Sequence, residues 1–198
     1  MHMVICCLVY APNKEEALTK AKGVLDRLCG EHDEPFDCYT TFDNEGSPVS
    51  GKGRWGNLPA VVRADSPEGK KFIDEGMKAT RDEFMENMRR IRRGLDNMTD
   101  DDLFSEELVS HDARAKKVFD PKPDAFDYNP RMIKHLMHSA GQYVGPEIFL
   151  YDNDGSGIRS PKHLKDVLNK WPTLYDGSGK ENPYKFFHTW VIPADVHY

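Results

Sequence analysis

The sequence predicts an α+β protein built on one mixed or antiparallel sheet of about five strands. Three observations carry this. The run Met3 to Tyr10, MVICCLVY, is apolar throughout. A long helix-period stripe follows Ser66-Pro67. A second β-rich run, KFFHTWVI from Lys185 to Ile192, comes near the end of the chain.

The first run reads as a central strand buried on both faces, because a half-solvated strand would alternate with polar residues. Cys6 and Cys7, being adjacent, point to opposite sides of it. Asn13 can cap the next helix, with Glu15 and Glu16 in its first turn, where the helix dipole favours acids. Ala17, Leu18, Ala21, Val24, Leu25 and Leu28 recur at helical spacing, and Gly30 stops the helix. Phe36 to Phe42 reads as a strand with Phe36, Cys38, Thr40 and Phe42 on one face. After a polar, glycine-rich stretch from Asp43 to Asn57, Leu58 to Ala64 reads as the next strand.

Ser66 is an N-cap with Pro67 at the first helical position. Ile73, Met77, Thr80, Phe84, Met88, Ile91 and Leu95 follow at steps of three and four, a single stripe. Arg89, Arg90, Arg92 and Arg93 near its end read as a solvated face that suits the helix dipole. From 96 to 128 periodicity fades into an acidic, irregular connector holding Asp100, Asp101, Asp102, Glu106, Glu107, Pro121 and Pro123. Asn129-Pro130 starts a helix with Ile133, Leu136, Met137, Ala140, Tyr143 and Val144, ended by Gly145-Pro146. Glu147 to Tyr151 is a short strand. Ser160-Pro161 starts a helix carrying Leu164, Val167, Leu168 and Trp171, ended by Pro172.

This order matches a ferredoxin-like (split β-α-β) core, helices on one face, with an extra C-terminal helix and strand. The expectation is a single α+β domain over 1–198.

Composition excludes several classes. The net charge of -6 argues against nucleic-acid binding, which calls for a basic surface. No apolar run approaches the ~20 residues of a membrane span, and no signal-peptide pattern is present. The four cysteines show no CxxC and no zinc spacing. They read as free thiols in a reducing, cytoplasmic compartment.

The weaker motifs leave alternatives open. Asp152, Asp154 and Ser156 place oxygen donors at alternate positions of Asp152-Asn153-Asp154-Gly155-Ser156-Gly157, as at the start of a calcium loop. His163, however, stands where that loop needs a bidentate glutamate. The same carboxylates beyond a strand end could hold magnesium against a substrate phosphate, and the plain alternative is a tight turn. Lys52, Arg54 and Trp55, within Gly51-Lys52-Gly53-Arg54-Trp55-Gly56, could meet an anion through close backbone approach and positive charge. His188 and Trp190 share a face of the last strand and are candidate ligand contacts. His135 and His138, three apart on a helix, are a metal pair lacking a third ligand.

No nucleophile or nucleotide-loop motif is present. The expected function is therefore a non-enzymatic binding protein without a cofactor, capturing a partner protein or a small anionic, phosphate- or nucleotide-like ligand. The alternative is a metal-assisted enzyme acting on a phosphate-containing substrate. A homo-oligomer fits either reading.

Overall fold

The computed structural model describes residues 1–30, 34–44, 47–105, 129–140, 148–170 and 187–198. The chain divides into two compact units, residues 1–81 with 143–198, and residues 82–142.

The first unit holds a five-strand mixed sheet. Its central strands are β1 (His2–Ala11) and β5 (His188–His197), paired antiparallel along their whole length. β4 (Leu150–Tyr151) pairs parallel to β1 through Cys6 and Cys7. β2 (Cys38–Thr41) and β3 (Val62–Arg63) both pair antiparallel with the far side of β5. The strand order is β2-β5-β1-β4, with β3 beside β5. β1 and β2 are thus parallel, with β5 inserted antiparallel between them.

β5 runs five residues past the expected end at Ile192, through Pro193. Proline cannot donate to a ladder, and in mid-sheet it is usually excluded. Here it falls in a gap, because β3 pairs with Trp190 and Val191 whereas β2 begins at Ala194. The start expected at Lys185 lies outside the described residues.

Both faces of β1 are buried. On one, Ile5, Cys7 and Val9 meet Ile192 and Ala194 and the stripe Ala17, Ala21, Val24, Leu25 and Leu28 of helix α1 (Lys14–Leu28). On the other, Cys6, Leu8 and Val191 meet Ile73, Phe72 and Met77 together with Leu164, Val167 and Leu168. The latter belong to helices α3 (Pro67–Asn97) and α6 (Pro161–Lys170). The expectation of helices on one face only is therefore corrected. A strand with no polar side needs a cover on each face.

The helix starts follow their caps. Asn13 Oδ1 accepts the Glu16 amide at 2.9 Å, Ser66 Oγ the Gly69 amide at 3.0 Å, and Ser160 Oγ the His163 amide at 3.1 Å. Within α1, a Cβ added at Gly23 would meet no atom within 4 Å. Gly23→Ala is expected to raise stability by about 0.5–1 kcal/mol in urea denaturation.

Two strand expectations are shortened. Of 58–64 only Val62 and Arg63 are strand, since Pro59 lacks a donor and β5 offers only two residues there. In β2 the expected face is reversed. Thr41 is buried, Tyr39 packs on the core and Cys38 is exposed, while Phe36 and Phe42 are buried just beyond the strand ends. Bends outside the strand break the alternation counted from Phe36. The stretch expected as a loop at 51–56 contains a one-turn helix, α2 (Lys52–Trp55).

The second unit contains the later part of α3, helix α4 (Asp100–Ser105) and helix α5 (Pro130–Ser139). Its cluster is Ile91, Met98, Ile133 and Leu136. The expected single stripe of α3 is corrected here. Phe84 and Leu95 are 43% and 42% exposed, and the buried positions shift to Asn87, Ile91, Gly94 and Met98. Gly94 is needed because a Cβ there would stand 2.3 Å from Ile133 Cδ1. Arg89 and Arg90 pair with Glu86 on their own helix. Of the 96–128 connector, residues 106–128 lie outside the described residues, as do Tyr143, Val144, Gly145-Pro146, Glu147, Trp171 and Pro172.

Candidate functional site

Adjacent parallel strands β1 and β4 send the chain to opposite sides of the sheet. β1 leads into α1 over the Ile5–Cys7–Val9 face, and β4 leads to α6 over the Cys6–Leu8 face. Such a divergence leaves a crevice at the carboxyl ends of the strands, where open α/β sheets bind ligands.

Two neighbouring cavities occupy this end. The smaller, about 20 Å³, is lined by Leu8, Val9, Tyr10, Thr189 and residues Asp152, Asn153 and Asp154. That is room for about one water molecule. Asn153 Oδ1 is buried with no hydrogen bond among the described residues. The larger cavity, about 530 Å³, shares Tyr10 and Thr189. Its apolar lining is Tyr10, Ala64, Ile73, Leu164, Leu168 and Phe187. Its polar lining is Arg63, Asp65, Lys70, Asp74, His188 and Thr189.

Each lining side chain has a local reason to be there. Lys70, Ile73 and Asp74, three and four apart, share one face of α3. Gly69 lets that helix press on the β3 backbone, as a Cβ would stand 2.0 Å from the Arg63 carbonyl oxygen. Tyr10 and Phe187 rings pack at 5.2 Å, and Lys20 lies over Phe187 while donating to the Tyr10 carbonyl at 2.8 Å. Arg63 forks onto Asp65 at 2.9 and 2.6 Å. The hydrogen bond from Arg63 holds the Asp65 carboxyl below its ordinary range, and His188 adds to the effect. Lys70 and Asp74 make no ion pair among the described residues, so the cavity carries one uncommitted cation and one uncommitted anion.

The residues expected from sequence fall in separate places. His188 lines the larger cavity. Trp190 is buried and its indole N–H donates to the Ala11 carbonyl at 2.9 Å, so its polar tip is already spent on the core. Asp152 Oδ1 accepts the Asp154 and Ser156 amides, both at 2.9 Å, and Oδ2 lies 3.5 Å from His163 Nε2. With Gly155 at φ 84°, this is the hydrogen bonding of a tight turn. Among the described residues no three His, Cys, Asp or Glu side chains stand where they could hold a metal ion together. Lys52, Arg54 and Trp55 lie on α2, and Trp55 lines a different cleft, with His2, Phe72 and Glu75. Arg54 rests its guanidinium 5.6 Å from the Trp55 ring.

The α2 turn is anchored by a buried carboxylate. Asp195, 2% exposed, accepts the Gly51 amide at 2.9 Å and lies 3.1 Å from His2 Nδ1. Asp195→Ala leaves the Gly51 N–H unsatisfied and is expected to cost about 2 kcal/mol in urea denaturation.

Sequence reading missed Tyr10, Arg63, Asp65, Lys70 and Asp74. The one local trace was Lys70 and Asp74 flanking Ile73 in the apolar stripe, a pattern equally natural on a free surface. No helix among the described residues is long and apolar enough to cross a membrane. No curated protein and no solved structure matches the chain. A family model does match, over residues 1–121 and again over 117–198, and so the chain belongs to the family described as Domain of unknown function (DUF7995).

Proposed function

We propose that the protein is a non-enzymatic binding protein for a small molecule with an apolar body and an anionic group, taken up in the larger cavity. The observation that carries this is the cavity itself. At about 530 Å³ it falls in the size range of small-molecule sites and combines an apolar lining with polar and charged groups, Lys70 and His188 among them. Lys70, without an ion pair among the described residues, and His188 supply the anion contacts. Tyr10, Leu164, Leu168 and Phe187 receive the apolar part.

We read the sheet as a variant of the ferredoxin-like arrangement. β1-α1-β2 is split by an antiparallel strand, but that strand is β5, and β4 is added parallel to β1. The free cysteines fit a reducing, cytoplasmic setting. The alternative, metal-assisted chemistry on a phosphate, draws on Asp152 and Asp154 at the neighbouring smaller cavity, where Asp152 Oδ1 already accepts two backbone amides.

Thermal melts with octanoate and phenyl phosphate, against neutral octanol and phenol, test the reading. An anionic probe at about a hundred times its dissociation constant stabilises by about 2.7 kcal/mol. This gain is expected to shrink in Lys70→Gln and to vanish in Leu168→Trp, which fills the cavity. Equal stabilisation by neutral and anionic probes, or indifference to both substitutions, overturns it. A shift with magnesium or calcium that disappears in Asp152→Ala favours the metal-assisted alternative.

A further inference from the structure

We propose that a second cleft, at the opposite end of β1, binds a small organic cation through the Trp55, Phe72 and Phe149 rings and the Glu75 carboxylate. This cleft holds about 390 Å³ and, among the described residues, shares no lining residue with the larger cavity. Val4 lines one and Tyr10 the other, six residues apart on β1, or roughly 20 Å.

Its chemistry differs from that of the first cavity. Three aromatic rings line it, joined by Leu58, and among the described residues no lysine or arginine does. Among the described residues Glu75 is the one lining carboxylate, with His2 the other titratable side chain apart from the Cys6 thiol. Lys71 stands 3.8 Å from Glu75, but both side chains are well exposed, at 73% and 63%, so water screens that pair. Burial first and Glu75 second push the Cys6 thiol up to about 12. Aromatic faces beside a carboxylate attract an ammonium group through the ring quadrupole and direct charge. Arg54 already lies 5.6 Å from the Trp55 centroid, within the distance a ligand ammonium would adopt.

The fold also spends backbone devices on holding Trp55 here. Gly51 and Gly56 bracket α2 at φ 55° and 76°, values that L side chains rarely adopt. A Cβ at Gly53 would stand 2.3 Å from the Ser47 carbonyl oxygen. The Gly51 amide is tied to buried Asp195. Held in this way, Trp55 remains 38% exposed.

The test uses choline and its neutral isostere 3,3-dimethyl-1-butanol, followed by the Trp55 indole N–H resonance of the full chain. Choline is expected to shift that resonance saturably, and the neutral isostere to bind weaker by on the order of five-fold. Glu75→Gln weakens choline by about the same factor, and Trp55→Leu, read on the Phe149 amide, abolishes it. Lys70→Gln, in the other cavity, leaves choline binding unchanged, so failure here and failure of the anion site are separately visible. An unshifted Trp190 indole resonance shows that each variant is folded. Equal affinity for both probes, unchanged affinity in Glu75→Gln, or no saturable shift overturns the proposal.

Discussion

Gly69→Ala is expected to destabilise the protein by about 3 kcal/mol, a large effect for one added methyl group. The new Cβ would lie 2.0 Å from the Arg63 carbonyl oxygen, 2.8 Å from its carbonyl carbon and 2.9 Å from Ala64 Cα. These are backbone atoms, so no rotamer change relieves the clash. α3 must lift from β3 or tilt. Arg63 and Ala64 on one side, and Lys70 and Ile73 on the other, line the larger cavity, so its shape goes with the contact. Urea denaturation measures the cost, and loss of the octanoate stabilisation measures the damage to the cavity. The same substitution at Gly23 supplies the contrast, because there the added methyl group meets open space and the sign reverses. A Gly69→Ala variant within about 1 kcal/mol of the parent contradicts the close approach of α3 to β3.

Stability is also expected to fall steeply above about pH 9, through Cys6 and Cys7. Both thiols are buried, one on each face of β1. Burial pushes Cys6 from its ordinary 9.0 up to about 12. It raises Cys7 as well, with the neighbouring thiols Cys6 and Cys29 adding to the shift. A thiol whose pKa is raised in the folded state stays protonated there while the unfolded chain gives up its proton. The unfolded state then binds fewer protons, and stability declines as pH rises through this window. Each thiol costs about 1.4 kcal/mol per pH unit, so the pair removes roughly 3 kcal/mol by about pH 10. Below about pH 8 neither thiol contributes a slope. Denaturant midpoints between pH 7 and 10 measure this. The Cys6→Ala/Cys7→Ala double variant starts lower, because it opens space in the core, but its decline above pH 9 is flatter. An equally steep decline in that variant assigns the alkaline loss to other groups.

Much of the fold was legible where the signal is local. The unbroken apolar run of β1 required burial on both faces, and the structure supplies α1 on one and α3 with α6 on the other. Asn13, Ser66 and Ser160 each cap the helix expected after them. The turn at Asp152 forms as its Asp and Gly residues dictate. These features depend on residues within about four positions of one another, which is the range of caps, turns and periodicity.

The candidate sites were only partly legible. His188 and Trp55 were each read as a candidate ligand contact, and they line separate cavities. Trp190 has the same aromatic character in the sequence, but its neighbours in space turn it into core. The shift of the buried stripe along α3 was equally hidden, since it depends on which partners each part of the helix meets.

What the sequence determined by itself is the α+β class, the helix starts and the buried central strand, because period and capping are properties of a short stretch of chain. The tertiary structure alone decided that β5 enters between β1 and β2, that Pro193 falls where the partner strand changes, and that Arg63, Lys70, Leu164 and His188 surround one cavity. Those residues come from four elements spread between positions 63 and 188, and a polar side chain at a cavity reads the same as one facing open water until the packing brings the walls together.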